Sequence, residues 1–233
     1  MSSAAAATRA VRATAVAILV AAYPFLLVTG LDHASPRAIG AVLLALTVTA
    51  GLTAGGHSSR LLPLLVRRFG LLVAASVAAA ATNHPIALTM LPSLSSLWLL
   101  ATFGATLRRE PSMVAQFATA MHDGFPDFLL PYCRKVTWMW CAFFAINAVV
   151  GAVLAIAQPA EVWAFYTGFL SYLVIVVLAA GEYVFHKSRF RYYEDGWADG
   201  IWRRLCPPER TALGRRTLHW QLARARSTGI GPR

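Results

Sequence analysis

Apolar residues in this chain come in long unbroken runs, without the alternation of a half-buried strand or the polar face of a helix on a soluble core. Six runs can be drawn: Thr14 to Leu31, Ala38 to Ala54, Phe69 to Thr82, Ile86 to Leu107, Val136 to Ala157 and Val162 to Phe185. Each is near the roughly 20 residues that cross hydrocarbon as a helix. The third is short, and Leu61 to Val66 extends it if Arg67 and Arg68 snorkel to the headgroups. Breakers separate the runs: Asp32-His33-Ala34-Ser35-Pro36, Asn83-His84-Pro85 and Gln158-Pro159. The pattern predicts an all-α fold, a polytopic membrane helix bundle of about six transmembrane helices. The third and fourth spans, and the fifth and sixth, should form tight hairpins. Arg9 and Arg12 precede the first run as in a signal peptide, but the run is too long for one and other spans follow it. It reads as an uncleaved span.

Composition agrees. Hydrophobic residues fill 58% of 233 positions and charged residues only 13%, where a soluble domain has about 25% charge. The placement of the charge then orients the bundle. With six spans, the N-terminus, residues 55–68, residues 108–135 and the tail from Lys187 share one side. They carry 20 of the 21 Lys and Arg, leaving Arg37 opposite. By the positive-inside rule that side is cytoplasmic and both termini lie there. Dropping the third span would split the basic loops across both faces. The predicted organisation is a transmembrane domain over 1–186, with a cytoplasmic loop at 108–135, and a basic tail over 187–233. Small residues in and after the second span (Gly40, Thr47, Thr49, Gly51, Gly55, Gly56) suit close helix packing.

Candidate chemistry concentrates between Arg108 and Asn147. Pro111 stops the fourth span, Ser112 to Met121 reads as a short interfacial helix, and Gly124-Phe125-Pro126 and Pro131 break the chain before the fifth span. Within the bilayer Glu182 stands out, about one turn inside Lys187, where a carboxylate must be paired or wetted. In a tight hairpin Arg134 or Lys135 can reach it, and Thr137 lies one turn from Arg134. Gly168, Ser171, Ile175, Leu178 and Glu182 share one helical face, predicted to point inward. Asn147, mid-span beside Trp140 and Phe143 or Phe144, should bond a neighbour. Arg134, Lys135, Thr137, Asn147 and Glu182 thus form the candidate cluster, either a clamp on the hairpin, a ligand site or a proton relay.

Other chemistries are not signalled. There is no GxSxG, HExxH or P-loop, and no cofactor is implied. Cys133, Cys141 and Cys206 lack metal-ligand spacing and read as reduced packing residues, so no metal site is expected. Asp195-Gly196 and Asp199-Gly200 only superficially suggest a paired-acid metal site. In the tail, Trp197, Ile201, Trp202 and Leu205 line an apolar face beside Arg203 and Arg204, and Leu213 to Arg226 repeats that character after Pro207-Pro208. Such segments bind anionic lipid headgroups, each base contributing ~1 kcal/mol. An acidic soluble partner is the other reading; nucleic acid is not expected, since the tail also carries membrane-seeking Trp and Leu.

One stretch carries a resemblance. Tyr132-Cys133-Arg134-Lys135-Val136-Thr137-Trp138-Met139-Trp140-Cys141-Ala142-Phe143-Phe144 with Asn147, Glu161 to Tyr166, Ser171-Tyr172-Leu173 and Gly181-Glu182-Tyr183 are similar to a family of bacterial inner-membrane proteins. These are associated with aryl polyene or xanthomonadin-type pigment clusters. The similarity covers about residues 98–186, including Phe103-Gly104 and Glu110-Pro111-Ser112; the first three spans and the tail are outside it. It implies a multi-pass protein of the inner membrane in a lipid-linked aryl polyene or fatty-acid-like pathway, acting as scaffold or accessory to an acyl carrier protein or other pathway enzymes. A membrane enzyme for an acyl or lipid substrate near Arg134, Thr137 and Glu182, and a small lipid transporter or flippase, are the alternatives.

Overall fold

The structure, a computed structural model, describes residues 21–53, 58–121, 125–193 and 197–228. Among them the ordered elements are helices without a strand. After α1 (residues 21–33) come α2 (Pro36–Thr53), α3 (Ser58–Thr82), α4 (Ile86–Thr89) and α5 (Leu91–Leu107). A short α6 (Met113–Met121) and a 3-10 turn (Asp127–Leu129) lead into α7 (Leu130–Ala157). Next are α8 (Ala160–Phe165), a π-helical turn (Tyr166–Leu170) and α9 (Ser171–Phe190), then α10 (Trp197–Leu205), a 3-10 turn (Pro208–Arg210) and α11 (Ala212–Thr228).

Among the described residues, three continuous helical stretches are long and apolar enough to cross a membrane: Ile86–Leu107, Asp127–Ala157 and Ala160–Phe190, of 22, 31 and 31 residues. Pro36–Thr49 and Gly70–Thr82 are shorter apolar helices. Their side chains have two distinct faces. On α7, Ile146, Val149, Val153 and Ile156 recur at helical spacing and are 54–73% exposed. On the other side Phe143, Phe144 and Ala148 are buried. On α9, Leu173, Val174, Val176 and Val177 are exposed. In water such stripes would be an aggregation hazard; against lipid tails they are ordinary, and this chain is a helical membrane protein. The first predicted span begins in residues outside those described.

Predicted breakers fall where the helices end, and the details are physical. Asn83 has a left-handed backbone, φ 54°, and its Oδ1 accepts the Arg37 N–H at 3.1 Å. Arg37 Nε donates to Ala80 O at 2.9 Å, satisfying a carbonyl that the end of α3 leaves without an intrahelical donor. The lone base on its side of the predicted topology is thus a helix cap. Arg67 and Arg68 lie inside the continuous α3, so the Leu61-to-Val66 extension of the third run is helical.

One sequence expectation is corrected. Pro131 does not break the chain ahead of the fifth span; α7 starts at Leu130, so Pro131 sits in the first helical turn. Proline is tolerated there because the first-turn N–H groups have no intrahelical acceptor. Arg134 and Lys135 are therefore helical residues, not loop residues, and the 108–135 loop ends in helix.

Two compact units divide the chain: residues 1–105 with 139–173, and residues 106–138 with 174–233. In the first, Leu27, Ala75, Ala79, Leu88, Trp163 and Ala164 form the core, and Tyr23 donates its hydroxyl to Leu88 O at 2.9 Å. In the second, α11 is tied to the end of α9 by Thr217 Oγ1 donating to Phe190 O at 2.9 Å, and to the segment that follows α9 by Gln221 Nε2 donating to Tyr193 O at 2.7 Å. Arg216 lies over the Phe128 ring at 4.6 Å. The segment after α9 is a packed structure, and the sequence boundary at 186 falls inside α9.

Candidate functional site

The five candidate residues occupy three places. Asn147, on α7, belongs to the first unit, where its Nδ2 donates to Ser96 Oγ on α5 at 2.8 Å. The expected neighbour is a serine, and Asn147 Oδ1 is buried without a protein partner. One turn along, Gly151 approaches α5 so closely that a Cβ there would lie 2.6 Å from Ser93 Oγ. This is a polar, small-residue seam of the sort that joins membrane helices. Such interhelical hydrogen bonds average about 0.6 kcal/mol. Because half of the amide is already unpartnered, Asn147→Leu should lower stability by under about 1 kcal/mol. Thermal unfolding of the detergent-solubilised protein reads this, and a collapse of the fold would contradict it.

Glu182 and the start of α7 meet in the second unit, through a different residue from the one expected. Tyr132 donates its hydroxyl to Glu182 Oε1 at 3.1 Å. The Tyr132 ring sits among Phe185 (5.8 Å, stacked), His186 (5.9 Å) and Phe190 (4.7 Å). Arg134 does not pair with Glu182. Two residues are 200° of helix rotation, so Tyr132 and Arg134 cannot both face α9. Arg134 turns to Glu110, with Nη1 3.8 Å from Oε1. That pair is exposed and weak. Lys135 is exposed and has no ion pair among the described residues. On the predicted face of α9, Ser171 is buried and Ile175, Leu178 and Glu182 are half-buried, while the residues between them are exposed except for the half-buried Tyr172.

Thr137, fully buried, joins α6 to α7. Its Oγ1 donates to Cys133 O at 2.8 Å and accepts the Val114 N–H at 3.3 Å. Thr106 Oγ1 accepts the neighbouring Met113 N–H at 2.9 Å. Two of the N–H groups that begin α6 are thereby satisfied. Beside them Glu110, Pro111, Ser112, Ala115, Leu130 and Arg134 line a cavity of about 220 Å³. Arg134 thus lines a cavity with Glu110 and Ser112, Thr137 holds the start of α6 next to it, and Glu182 lies apart from both.

Sequence reasoning missed a buried ion pair. Lys187, in the last turn of α9, contacts Asp199 of α10 at 2.6 Å, with side chains 11% and 9% exposed. Lys187 Nζ also donates to Tyr192 O at 3.0 Å and lies 5.8 and 5.7 Å from the Tyr183 and Tyr193 ring centres. Asp199 therefore holds a buried ion pair; Asp195, the other acid of the pair that the sequence offered, lies outside the described residues. Tyr193 donates to Cys206 O at 2.7 Å, and burial pushes its phenol up to about 12. An apolar helical run ending in a lysine, with an aspartate on the next helix, was the available signal. Cys133, Cys141 and Cys206 are free thiols.

No protein-family model, curated protein or solved structure matches the chain.

Proposed function

We propose that this chain is a non-catalytic scaffold of a bacterial inner membrane, with six spans and both termini cytoplasmic, that organises lipid-linked synthesis at the inner face. The observation that carries the reading is α10. Its Lys187–Asp199 side is buried, whereas Ile201 and Leu205 are 50% and 67% exposed next to Arg203 and Arg204. A helix pinned on one side that presents apolar residues and bases on another suits the headgroup boundary of an anionic leaflet. The product class, an aryl polyene or fatty-acid-like chain carried on an acyl carrier protein, rests on the resemblance of residues 98–186.

In nanodiscs, amide exchange across α10 of the full-length protein should slow when phosphatidylglycerol is added to phosphatidylcholine. Ile201→Asp with Leu205→Asp should remove that protection, and high salt should weaken it. An α10 indifferent to lipid charge would sink the surface reading. A deletion strain should accumulate a lipid or carrier-bound intermediate; an unchanged profile would remove the pathway assignment. A membrane enzyme is the second reading, favoured by the Tyr132–Glu182 hydrogen bond. Under that reading Glu182→Gln abolishes product at normal protein abundance, and under the scaffold reading product persists.

A further inference from the structure

The cavity between α6 and the start of α7 has features that neither a scaffold nor a hairpin clamp requires. A base, an acid and a serine line it: Arg134, Glu110 and Ser112. Its floor is apolar, from Ala115 and Leu130. At about 220 Å³ it is below the roughly 300–1,000 Å³ of drug-sized sites, which suits a headgroup-sized moiety. Ser112 is 5% exposed, and its Oγ has no protein partner. A buried hydroxyl without a partner is uncommon and calls for a ligand or a water. The hydroxyl stands immediately before α6, a nine-residue helix whose positive dipole end therefore meets the cavity. The wall carrying it is held in place: Thr106 and Thr137 bond the first N–H groups of α6, and Gln116 Nε2 donates to Pro111 O at 2.8 Å.

Arg134 is poised for a better partner than the one it has. Its contact with Glu110 is long, at 3.8 Å, and the Glu110 side chain is 82% exposed. The guanidinium fork binds phosphate oxygens in a bidentate way that this single long contact does not use. We propose that the cavity bounded by Ser112, Arg134 and Glu110 binds a phosphate group, with Arg134 and the Ser112 hydroxyl as donors and Glu110 as the displaceable counter-charge. Its source is either a phospholipid headgroup or a water-soluble phosphate ester. The site does not depend on the lipid contact of α10.

The charge arrangement gives the test opposite signs. Full-length protein is purified with phosphatidylglycerol present, and retained lipid is counted by native mass spectrometry. The same protein in detergent is titrated with inorganic phosphate and followed by thermal shift. Arg134→Gln should weaken binding about tenfold or more, as expected for a charge-assisted pair. Ser112→Ala should weaken it a few-fold without lowering the melting temperature, since that hydroxyl bonds nothing in the protein. Glu110→Gln should tighten binding by releasing Arg134. Ile201→Asp with Leu205→Asp should leave binding unchanged, which separates this site from adsorption of α10. Changes confined to the lipid arm identify a headgroup, and changes in the inorganic-phosphate arm identify a soluble ester; either supports the proposal. Binding that Arg134→Gln and Ser112→Ala leave untouched, or that Glu110→Gln weakens, overturns it.

Discussion

Asp199→Ala is expected to free α10 from the end of α9 and to be among the most damaging single changes in this protein. Lys187 and Asp199 are each about nine-tenths buried and 2.6 Å apart. Removing one partner leaves the other buried without its counter-charge, which typically costs about 3–5 kcal/mol. Lys187→Met should be nearly as severe, because it also takes away the donor to Tyr192 O. Replacing both, with Met and Leu, should recover much of the loss, since paired burial is itself only marginally favourable. The readout is hydrogen exchange along 197–205 together with the melting temperature of the detergent-solubilised protein. The single variants should exchange rapidly throughout α10, and the double variant slowly. Protection of α10 that survives Asp199→Ala would show that the ion pair does not hold it.

Gly40→Leu is the second large effect, and it acts in the first unit. A Cβ at Gly40 would lie 2.6 Å from Ser76 O, 3.0 Å from Ala80 N and 3.2 Å from Ala79 Cβ. Two of the three are backbone atoms of α3, so no side chain can turn aside and the helices must part. Overpacking of this kind costs roughly 1–3 kcal/mol or more, and separating α2 from α3 also forfeits their van der Waals contact, a main attraction between helices in lipid. Even Gly40→Ala should lower the melting temperature. Gly104→Ala is the internal control: nothing lies within 4 Å of a Cβ there, and alanine in a helix interior should raise stability by roughly 0.5–1 kcal/mol. Equal tolerance at the two glycines would mean that α2 and α3 are not in close contact.

Both effects bear on which parts of the protein were legible from the chain alone. Gly40 reads as a packing residue from the density of small residues around it. What the sequence did not contain was the surface it meets, since Ser76 and Ala79 are ordinary helical residues until α3 lies against α2. The inward face of α9 was also legible. Gly168, Ser171, Ile175, Leu178 and Glu182 recur at a spacing that any straight helix turns to one side, and helical periodicity is a local property. Even the π-helical turn at Tyr166–Leu170, which no sequence feature announced, left the Ser171-to-Glu182 part of that face in register.

Partner choice was different, because it depends on which of several adjacent residues a helix rotation presents. A tight hairpin lets Arg134 or Lys135 reach Glu182 as far as charge and chain position go. The structure places Tyr132 there, and because two residues are 200° of helix rotation, Arg134 faces Glu110 instead. Lys187 and Asp199 are further apart in character: twelve positions separate them, and a left-handed backbone at Arg191, φ 54°, ends α9 between them. A charged residue near a helix end is usually solvated, so nothing local marks this one as buried.

By itself, then, the sequence determined the class of the protein. Long apolar runs have one stable answer in lipid, helices that satisfy their own backbone, and breakers at 83–85 and 158–159 set where those helices stop. Only the tertiary structure decided what each polar group does. Arg37 became a cap, Thr137 a bridge between α6 and α7, Asp199 an anchor for α10, and Ser112 an unpartnered hydroxyl beside Arg134. Those roles depend on distances of a few ångströms between residues far apart in the chain, and hydropathy carries no record of such distances.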